Sequence, residues 1–444
     1  MENIKDQNIL KLSLPIFVSS ILSMAVGYVD TAMLSGYNEN SVGAIGNANT
    51  VLSFITLAFT IVSSATGILT SQYSGARKRE SLNQVYTVSL LINLILSVIV
   101  SLILFIFHRQ FLNLLNVPVE MQGDAASYIQ IVGGFIFTQS IFSTFDQIFR
   151  CNGKTKIGMV LALCMNLINI GGNYCVLFGP LKHLGLGASG VAYSTAFSRI
   201  VVLIISAFYF KFRIDGKISI QYLRPFPFQI LKQLLALGIP TAGENISYNL
   251  SQIAIAAIIN TMGIVAINTR IYCSMLCTVA YVFSYSLSLG TQIVVGHNVG
   301  AKDYDTAYKK VLNILKISLV IALSLAVLNC IFSRFTLTLF SDNSDVIALG
   351  QTIMLISVFL EIGRTTNIVI IGSMKASGDV KFPTIMGICS MWGISVLFAF
   401  VLGISLNMGL IGVWIAMAGD EIFRGIVVFI RWMRGSWRGK TVVL

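Results

Sequence analysis

The stretch LSLPIFVSSILSMAVGYVDTAML, residues 12–34, is a predominantly apolar run that carries a single carboxylate, Asp30. About 20 apolar residues in a helix cross the ~30 Å hydrocarbon core of a bilayer, so this run is long enough to span a membrane. Similar runs recur along the whole chain, which is 55% hydrophobic and only 11% charged. They are continuous, whereas the strands of a membrane β-barrel alternate. The sequence therefore predicts an all-α polytopic membrane protein.

We expect twelve transmembrane helices, because twelve apolar runs are separated by polar segments. The predicted ranges are 9–35, 43–72, 84–107, 124–149, 156–179, 188–212, 230–258, 265–296, 306–332, 346–374, 382–404 and 410–431. The N-terminal residues lack the cleavage site of a secretory signal, so we interpret them as a short tail before the first helix.

The net charge of +12 follows from an uneven distribution of basic residues between the predicted loops. Segments such as ARKR (76–79) and RWMRGSWRGK (431–440) are rich in Lys and Arg, whereas the loops on the opposite side hold Arg109, Lys182 and Arg334. Basic loops stay in the cytoplasm, so we expect both termini to be cytoplasmic in a multi-pass plasma-membrane protein. This distribution argues against a nucleic-acid partner.

Neither cysteine nor histidine forms a pattern typical of a cofactor or a catalytic site. The seven Cys contain no CxxC motif, and the three His are scattered near predicted loops. A membrane-embedded enzyme would need such residues in a cluster, so we expect no cofactor and no enzymatic activity.

The chain contains an internal repeat at a shift of 225 residues. Three pairs of landmarks come into register: Pro15 with Pro240, TGILTSQYSGAR (66–77) with TQIVVGHNVGAK (291–302), and NGKTK (152–156) with SGDVK (377–381). Each half then has six helices, and an even number of helices gives both halves the same orientation in the membrane. We predict two pseudo-symmetric six-helix bundles: an N-terminal lobe (1–212), a cytoplasmic linker (213–229), and a C-terminal lobe (230–444) ending in a basic tail.

Polar residues at one depth of the first lobe suggest a site for a hard cation or a proton. Asp30 and Asn173 both lie near the outer ends of outward-running helices, and Thr195 lies at a similar depth in helix 6. Asn169 shares a helical face with Asn173, one turn away. Intramembrane carboxylates usually face a cavity or a partner, and carboxylate, amide and hydroxyl oxygens suit hard cations. The alternative is that these side chains only join neighbouring helices by hydrogen bonds.

The second lobe carries two further intramembrane acids, Glu244 and Glu361. Glu244 follows Pro240 by four residues and has no cation nearby in sequence, which favours a functional role. Glu361 lies one helical turn from Arg364, so a structural ion pair is an alternative to a role in transport. The 225-residue shift places Ile255 opposite Asp30 and Ser19 opposite Glu244, so the repeat does not extend to the acids.

Other charged residues in the predicted helices are better explained by structural roles. Asp146 and the pair Asp420/Glu421 stand within one turn of Arg150 and Arg424, and we expect local ion pairs close to the cytoplasmic face. The cations Arg199 and Arg270 also need partners, and the sequence does not identify them.

These segments resemble the multidrug and toxic compound extrusion (MATE) transporters, NorM-like members among them. The resemblance covers nearly the whole chain and is carried by the segments 12–49, FRCNGKTKIGM (149–159), NLINIGGNYCVLFG (166–179), LGIPTAGENISYNLSQ (237–252), 288–307, 374–393 and GLIGVWIAMAGDEIFRG (409–425).

The resemblance implies two six-helix bundles and extrusion of small molecules driven by inward flow of Na⁺ or H⁺. By position, Asp30 corresponds to the family's helix 1 acid, and Asn169, Asn173 and Thr195 to its first-lobe cation site. Glu244 corresponds to the helix 7 acid, so Asp30 and Glu244 are the candidate ion ligands. Many members have Asp in helix 5 where this chain has Asn173, which gives Glu244 and Glu361 more weight as coupling residues.

We therefore predict a secondary active antiporter that exports amphipathic, cationic small molecules by alternating access and acts as a monomer in the lipid bilayer. A lipid-linked oligosaccharide flippase of the same wider superfamily is an alternative, but its cavity should be more basic. A membrane-embedded enzyme, a receptor or a channel fits the repeat and the dispersed His residues less well.

Overall fold

The computed structural model describes residues 4–114 and 117–443, and within them the chain folds into twelve long helices with no β-strand. The first six are α1 Ile9–Tyr37, α2 Glu39–Gly75, α3 Arg79–Leu114, α4 Val119–Cys151, α5 Thr155–Leu177 and α6 Gly187–Arg213. The second six are α7 Phe228–Asn260, α8 Ile264–Gly300, α9 Tyr304–Ile331, α10 Ser344–Ser377, α11 Lys381–Ser405 and α12 Gly409–Met433. The predicted all-α architecture is confirmed.

Most of these helices are long and apolar enough to cross a membrane. Within the described residues, nine meet this criterion singly, and α4 makes a tenth if its two parts, bent by 47° at residues 134–135, are one span. The helices α7 and α12 do not meet it, and α12 carries three charged residues near its middle, Asp420, Glu421 and Arg424. Large apolar side chains such as Phe54 and Ile106 are exposed on the protein surface, as expected where lipid replaces water.

The described chain divides into two compact units that each contain one of the sequence repeats. The first unit contains residues 18–238, and its core includes Leu34, Phe59, Leu104 and Ile129. The described part of the second unit contains residues 5–17 and 239–443, and its core includes Ile255, Ile353 and Trp414. The lobe boundaries predicted from the sequence remain a prediction.

The helices α1 and α7 are each shared between the two units, and each is divided close to its internal proline, Pro15 or Pro240. Proline removes a backbone hydrogen bond from a helix, so a helix bends more readily there. In the first unit, the start of α7 lies so close to α2 that a Cβ on Gly238 would collide with the Ile61 carbonyl.

The second unit contains the matching contact. There the start of α1 lies so close to α8 that a Cβ on Gly290 would collide with the Ser13 hydroxyl. Ser13 and Gly238 occupy equivalent positions under the 225-residue shift, and the residues that they approach differ by about one helical turn under the same shift, so the two contacts are similar but not identical.

Candidate functional site

The carboxylate of Asp30 lies at the start of a chain of hydrogen bonds within the first unit. Asn173 Nδ2 donates to Asp30 Oδ1 at 3.1 Å and to Asn169 Oδ1 at 3.4 Å. Asn169 Nδ2 donates to Thr195 Oγ1 at 3.0 Å, and Thr195 Oγ1 donates to the Val191 carbonyl at 3.0 Å. The structure therefore brings together all four first-lobe residues that the sequence singles out, from α1, α5 and α6.

Local helix geometry explains why these side chains meet. Residues four apart in a helix lie on one face, so Asn169 and Asn173 are neighbours along α5. Close packing of α5 on α6 brings Thr195 to them, because Gly172 lies against Ser194 with no space for a Cβ. Ser194 also donates a hydrogen bond to the Asn169 carbonyl at 2.9 Å.

One oxygen atom in this series of hydrogen bonds accepts no hydrogen bond from the described residues. Asn173 is only 1% exposed, and its Oδ1 atom is buried and has no hydrogen-bond partner among the described residues. A buried amide oxygen without a partner is unfavourable by about 1–3 kcal/mol, so such an atom suits a proton donor or a cation. Asn173 therefore offers an oxygen ligand from the same amide group that donates to the half-buried Asp30 carboxylate.

One aromatic and one basic residue that the sequence did not assign to this site belong to the same region. The Tyr128 phenol of α4 interacts with the side chains of Thr195 and Asn49. It also lies near the Arg199 guanidinium, which is the intramembrane cation of α6 whose partner the sequence did not identify. The polar interior of the first unit thus contains a cation as well as the Asp30 carboxylate.

Glu244 of α7 has a partner that its sequence neighbourhood did not reveal. Lys375 Nζ of α10 lies 2.9 Å from Glu244 Oε2, and Thr384 Oγ1 of α11 donates to the same oxygen at 3.1 Å. The predicted tenth helix ended at residue 374, which placed Lys375 among the basic loop residues. The structure extends α10 to Ser377, so the ammonium group lies in its last turn.

Glu361 forms the ion pair that its spacing from Arg364 suggested. Arg364 Nη1 lies 2.6 Å from Glu361 Oε1, and Glu361 is 1% exposed. Its second oxygen, Oε2, is buried and has no hydrogen-bond partner within the described residues. Glu361 therefore combines a structural ion pair with a free acceptor atom.

The acids of α12 lie next to this ion pair. Arg424 Nη2 lies 2.9 Å from both Asp420 Oδ2 and Glu421 Oε1. Ser390 donates to Asp420, and Asn367 Nδ2 donates to Glu421 Oε2 at 2.9 Å. A cavity of about 10 Å³, enough for about one water molecule, adjoins these groups.

The expected local ion pairs are confirmed. Asp146 pairs with Arg150 at 2.7 Å near the end of α4, and both α12 acids pair with Arg424. Asp420 lies near the middle of α12, and its expected position close to the cytoplasmic face stays a prediction. There the ion pairs and donated hydrogen bonds compensate the loss of hydration. Arg270, the other unassigned cation, lies near Tyr248.

The MatE family model matches this chain in two segments, residues 15–175 and 240–401. Their starts are 225 residues apart, which is the shift of the internal repeat. Together the segments cover most of the chain, so the family resemblance noted in the sequence is confirmed.

Individual relatives match this chain over nearly its whole length and over nearly the whole of their own. The chain is 36% identical over 433 residues to the uncharacterized transporter YisQ of Bacillus subtilis, covering 98% of this chain and 95% of the relative. It is 23% identical to the probable multidrug resistance protein NorM of Thermotoga maritima, with coverages of 98% and 94%. A solved outward-facing multidrug resistance MATE transporter superposes with a TM-score of 0.87 at 21% identity, covering 98% of this chain and 96% of that one.

Proposed function

Because the chain belongs to the MATE family of membrane transporters, we propose that it exports amphipathic, cationic small molecules in exchange for Na⁺ or H⁺. It is a multi-pass membrane protein that acts on small molecules, and it is not an enzyme. Several relatives bear the name multidrug resistance protein, which supports drug-like substrates.

The observation that carries this proposal is the hydrogen-bond chain from Asp30 through Asn173 and Asn169 to Thr195. It holds one carboxylate beside a buried amide oxygen that has no partner among the described residues. A carboxylate within a membrane is unfavourable unless a cation or a proton compensates its charge. We therefore assign the coupling ion to Asp30, with Asn173, Asn169 and Thr195 as supporting ligands or positioning residues.

In the proposed mechanism, the cationic substrate and the coupling ion bind in exchange at the Asp30 carboxylate. A cationic substrate interacts favourably with the ionised carboxylate, and entry of Na⁺ or H⁺ neutralises it and weakens that attraction. Coupling requires that ion and substrate favour different conformations, since a ligand shifts an equilibrium only by its differential affinity. Alternating access then exposes this site first to one side of the membrane and then to the other.

The proposal includes the orientation of the chain in the membrane and its oligomeric state. Basic loop segments support cytoplasmic termini, and this orientation puts Asp30 in the outer half of the membrane, where an external ion can reach it. Both repeats lie in one chain, so we propose that a monomer carries out transport. The acids Glu244 and Glu361 were predicted as additional coupling residues, and their Lys375 and Arg364 ion pairs make Asp30 the stronger assignment.

The experiment that tests this function is efflux of a fluorescent amphipathic cation from proteoliposomes. The Na⁺ gradient and the pH gradient are imposed separately, with protein-free vesicles as the baseline. We expect efflux above the baseline under at least one gradient and none when both are collapsed. Efflux that ignores both gradients would contradict ion-coupled antiport. Vesicles with a neutral amphipathic probe test whether the substrate must be cationic.

A further inference from the structure

The ion pair between Lys375 and Glu244 is almost enclosed in the second unit. The side chains are 13% and 12% exposed, and the Nζ–Oε2 distance is 2.9 Å. Thr384 donates a second hydrogen bond to the same oxygen, and the α11 backbone passes close to the carboxyl group at Gly387. Three helices thus surround one carboxylate, and one of them supplies a positive charge.

This arrangement differs from that of Asp30 in one decisive respect. Among the described residues, the side chain that hydrogen-bonds to Asp30 is the neutral amide of Asn173. Glu244 instead contacts an ammonium group. A carboxylate whose charge is already balanced gains little from a further cation, and an additional buried positive charge beside Lys375 would be unfavourable.

We propose that Lys375 is a built-in counter-ion that takes the place of a monovalent coupling cation at Glu244. The second unit then binds no coupling ion at this carboxylate, and the ion dependence of transport comes from Asp30. The inference rests on the proposed antiport function, because it assigns the coupling-ion binding of that function to Asp30 and not to Glu244. It replaces the prediction that Glu244 is itself a coupling residue.

The proposal implies that a cation site is present but filled by the protein's own ammonium group. Without Lys375, the Glu244 carboxylate and the Thr384 hydroxyl would face the space that the ammonium group occupied. Oxygen ligands of this kind suit Na⁺, and a buried carboxylate without a counter-ion also takes up a proton. Removal of Lys375 should therefore create a site for Na⁺ or H⁺ in the second unit.

The test compares Lys375→Met with Glu244→Gln/Lys375→Met in the purified full-length chain. Equilibrium binding of radioactive Na⁺ and proton uptake in weakly buffered solution are measured separately. We expect Lys375→Met to bind about one additional Na⁺, or to take up about one additional proton, per chain compared with the unmodified protein. The double variant lacks both charges and should return to the unmodified level. Lys375→Arg, which keeps the charge, should bind no additional cation.

The second part of the test measures transport by Glu244→Gln/Lys375→Met. With both charges removed, no unpaired charge remains buried at this position, and gradient-driven efflux should keep the ion dependence of the unmodified chain. The proposal is wrong if the folded double variant loses that dependence, since Glu244 would then be a coupling residue. It is also wrong if Lys375→Met gains neither Na⁺ binding nor proton uptake.

Failure of the antiport function itself has a different signature. The unmodified chain would then show efflux that ignores both gradients, whereas the binding arm would still report whether Lys375 fills a cation site. If Lys375→Met does not fold, because it leaves Glu244 unpaired, the double variant and Lys375→Arg still test the proposal, because the efflux of both should keep the ion dependence of the unmodified chain.

Discussion

Asn173 donates a hydrogen bond to Asp30 across 3.1 Å, although the two residues are 143 positions apart in the chain. The same amide also bonds to Asn169, so a polar chain runs from α1 through α5 to Thr195 of α6. This relationship supports the assignment of the coupling ion to the first unit. It also leads to direct tests of individual side chains.

Asp30→Asn should abolish ion-driven efflux while leaving the protein folded. The substitution removes the charge but keeps an oxygen that can accept from Asn173, so the helix contacts survive. Efflux should fall to the level of protein-free vesicles, and the melting temperature in detergent should change little. Asp342→Asn, at an exposed position outside the long helices, serves as the control and should transport normally. Normal ion-driven efflux by Asp30→Asn would contradict the assignment.

Asn173→Asp should strengthen cation binding in the first unit. It places a second carboxylate within about 3 Å of Asp30, and two ionised acids so close repel each other unless a cation or a proton lies between them. We expect affinity for Na⁺ or H⁺ to rise at least about tenfold, as measured by radioactive Na⁺ binding and proton uptake. Asn166→Asp, on the same face of α5, is a comparison without a hydrogen bond to Asp30 in the described structure. An equal gain from both variants would contradict a specific site at Asn173.

The hydrogen bond from Asn169 to Thr195 should contribute a measurable coupling energy between α5 and α6. A double-mutant cycle of Asn169→Ala and Thr195→Val isolates the pairwise interaction in the free energy of unfolding. We expect a coupling of about 1 kcal/mol, as is usual for an intramolecular hydrogen bond. Strict additivity of the two substitutions would show that the 3.0 Å contact does not form in the folded protein.

Glu361→Gln should destabilise the protein more than the double substitution Glu361→Gln/Arg364→Met. Glu361 is 1% exposed and lies 2.6 Å from Arg364, so the single variant leaves a buried guanidinium without this partner. Breaking one side of a buried ion pair costs about 3–5 kcal/mol, whereas replacing both charges is often nearly neutral. Thermal unfolding in detergent measures both variants. A single variant as stable as the double one would mean that Glu421 compensates Arg364 fully.

Gly238→Ala should destabilise the packing of α7 on α2. A Cβ at this position would collide with the Ile61 carbonyl, and forcing an extra group into a packed contact costs about 1–3 kcal/mol. The matched control is Gly243→Ala in the same helix, because its Cβ would meet nothing within 4 Å. This control should be neutral or slightly stabilising, since alanine favours helix over glycine. Equal melting temperatures of the two variants would contradict the close approach of the helices.

Much of the fold could be predicted from local properties of the sequence. Apolar runs identify membrane helices because every spanning segment must satisfy its own backbone hydrogen bonds within lipid. The 225-residue shift predicted two six-helix halves, and the family match recurs at the same interval. Helix ends were less predictable. The predicted tenth helix stopped before Lys375, because a charged residue at the end of an apolar run can belong either to the helix or to the loop.

The candidate site in the first unit was accessible to sequence reasoning for a specific reason. Depth in a membrane follows from counting residues along a helix, so Asp30, Asn173 and Thr195 could be placed at one level. Counting does not determine how each helix is rotated or which helices are neighbours. The interaction of Tyr128 with Thr195, and the position of Arg199 beside it, therefore emerged only from the packed structure.

The sequence by itself determined the helical membrane architecture, the internal repeat and the presence of a few acids in apolar surroundings. These properties depend on composition and spacing along one chain. Only the tertiary structure decided that Glu244 has a positive partner, because Lys375 lies on a helix that is distant in sequence. Asp30 meets a neutral amide and Glu244 meets Lys375, and the proposed difference between their roles rests on this difference in charge.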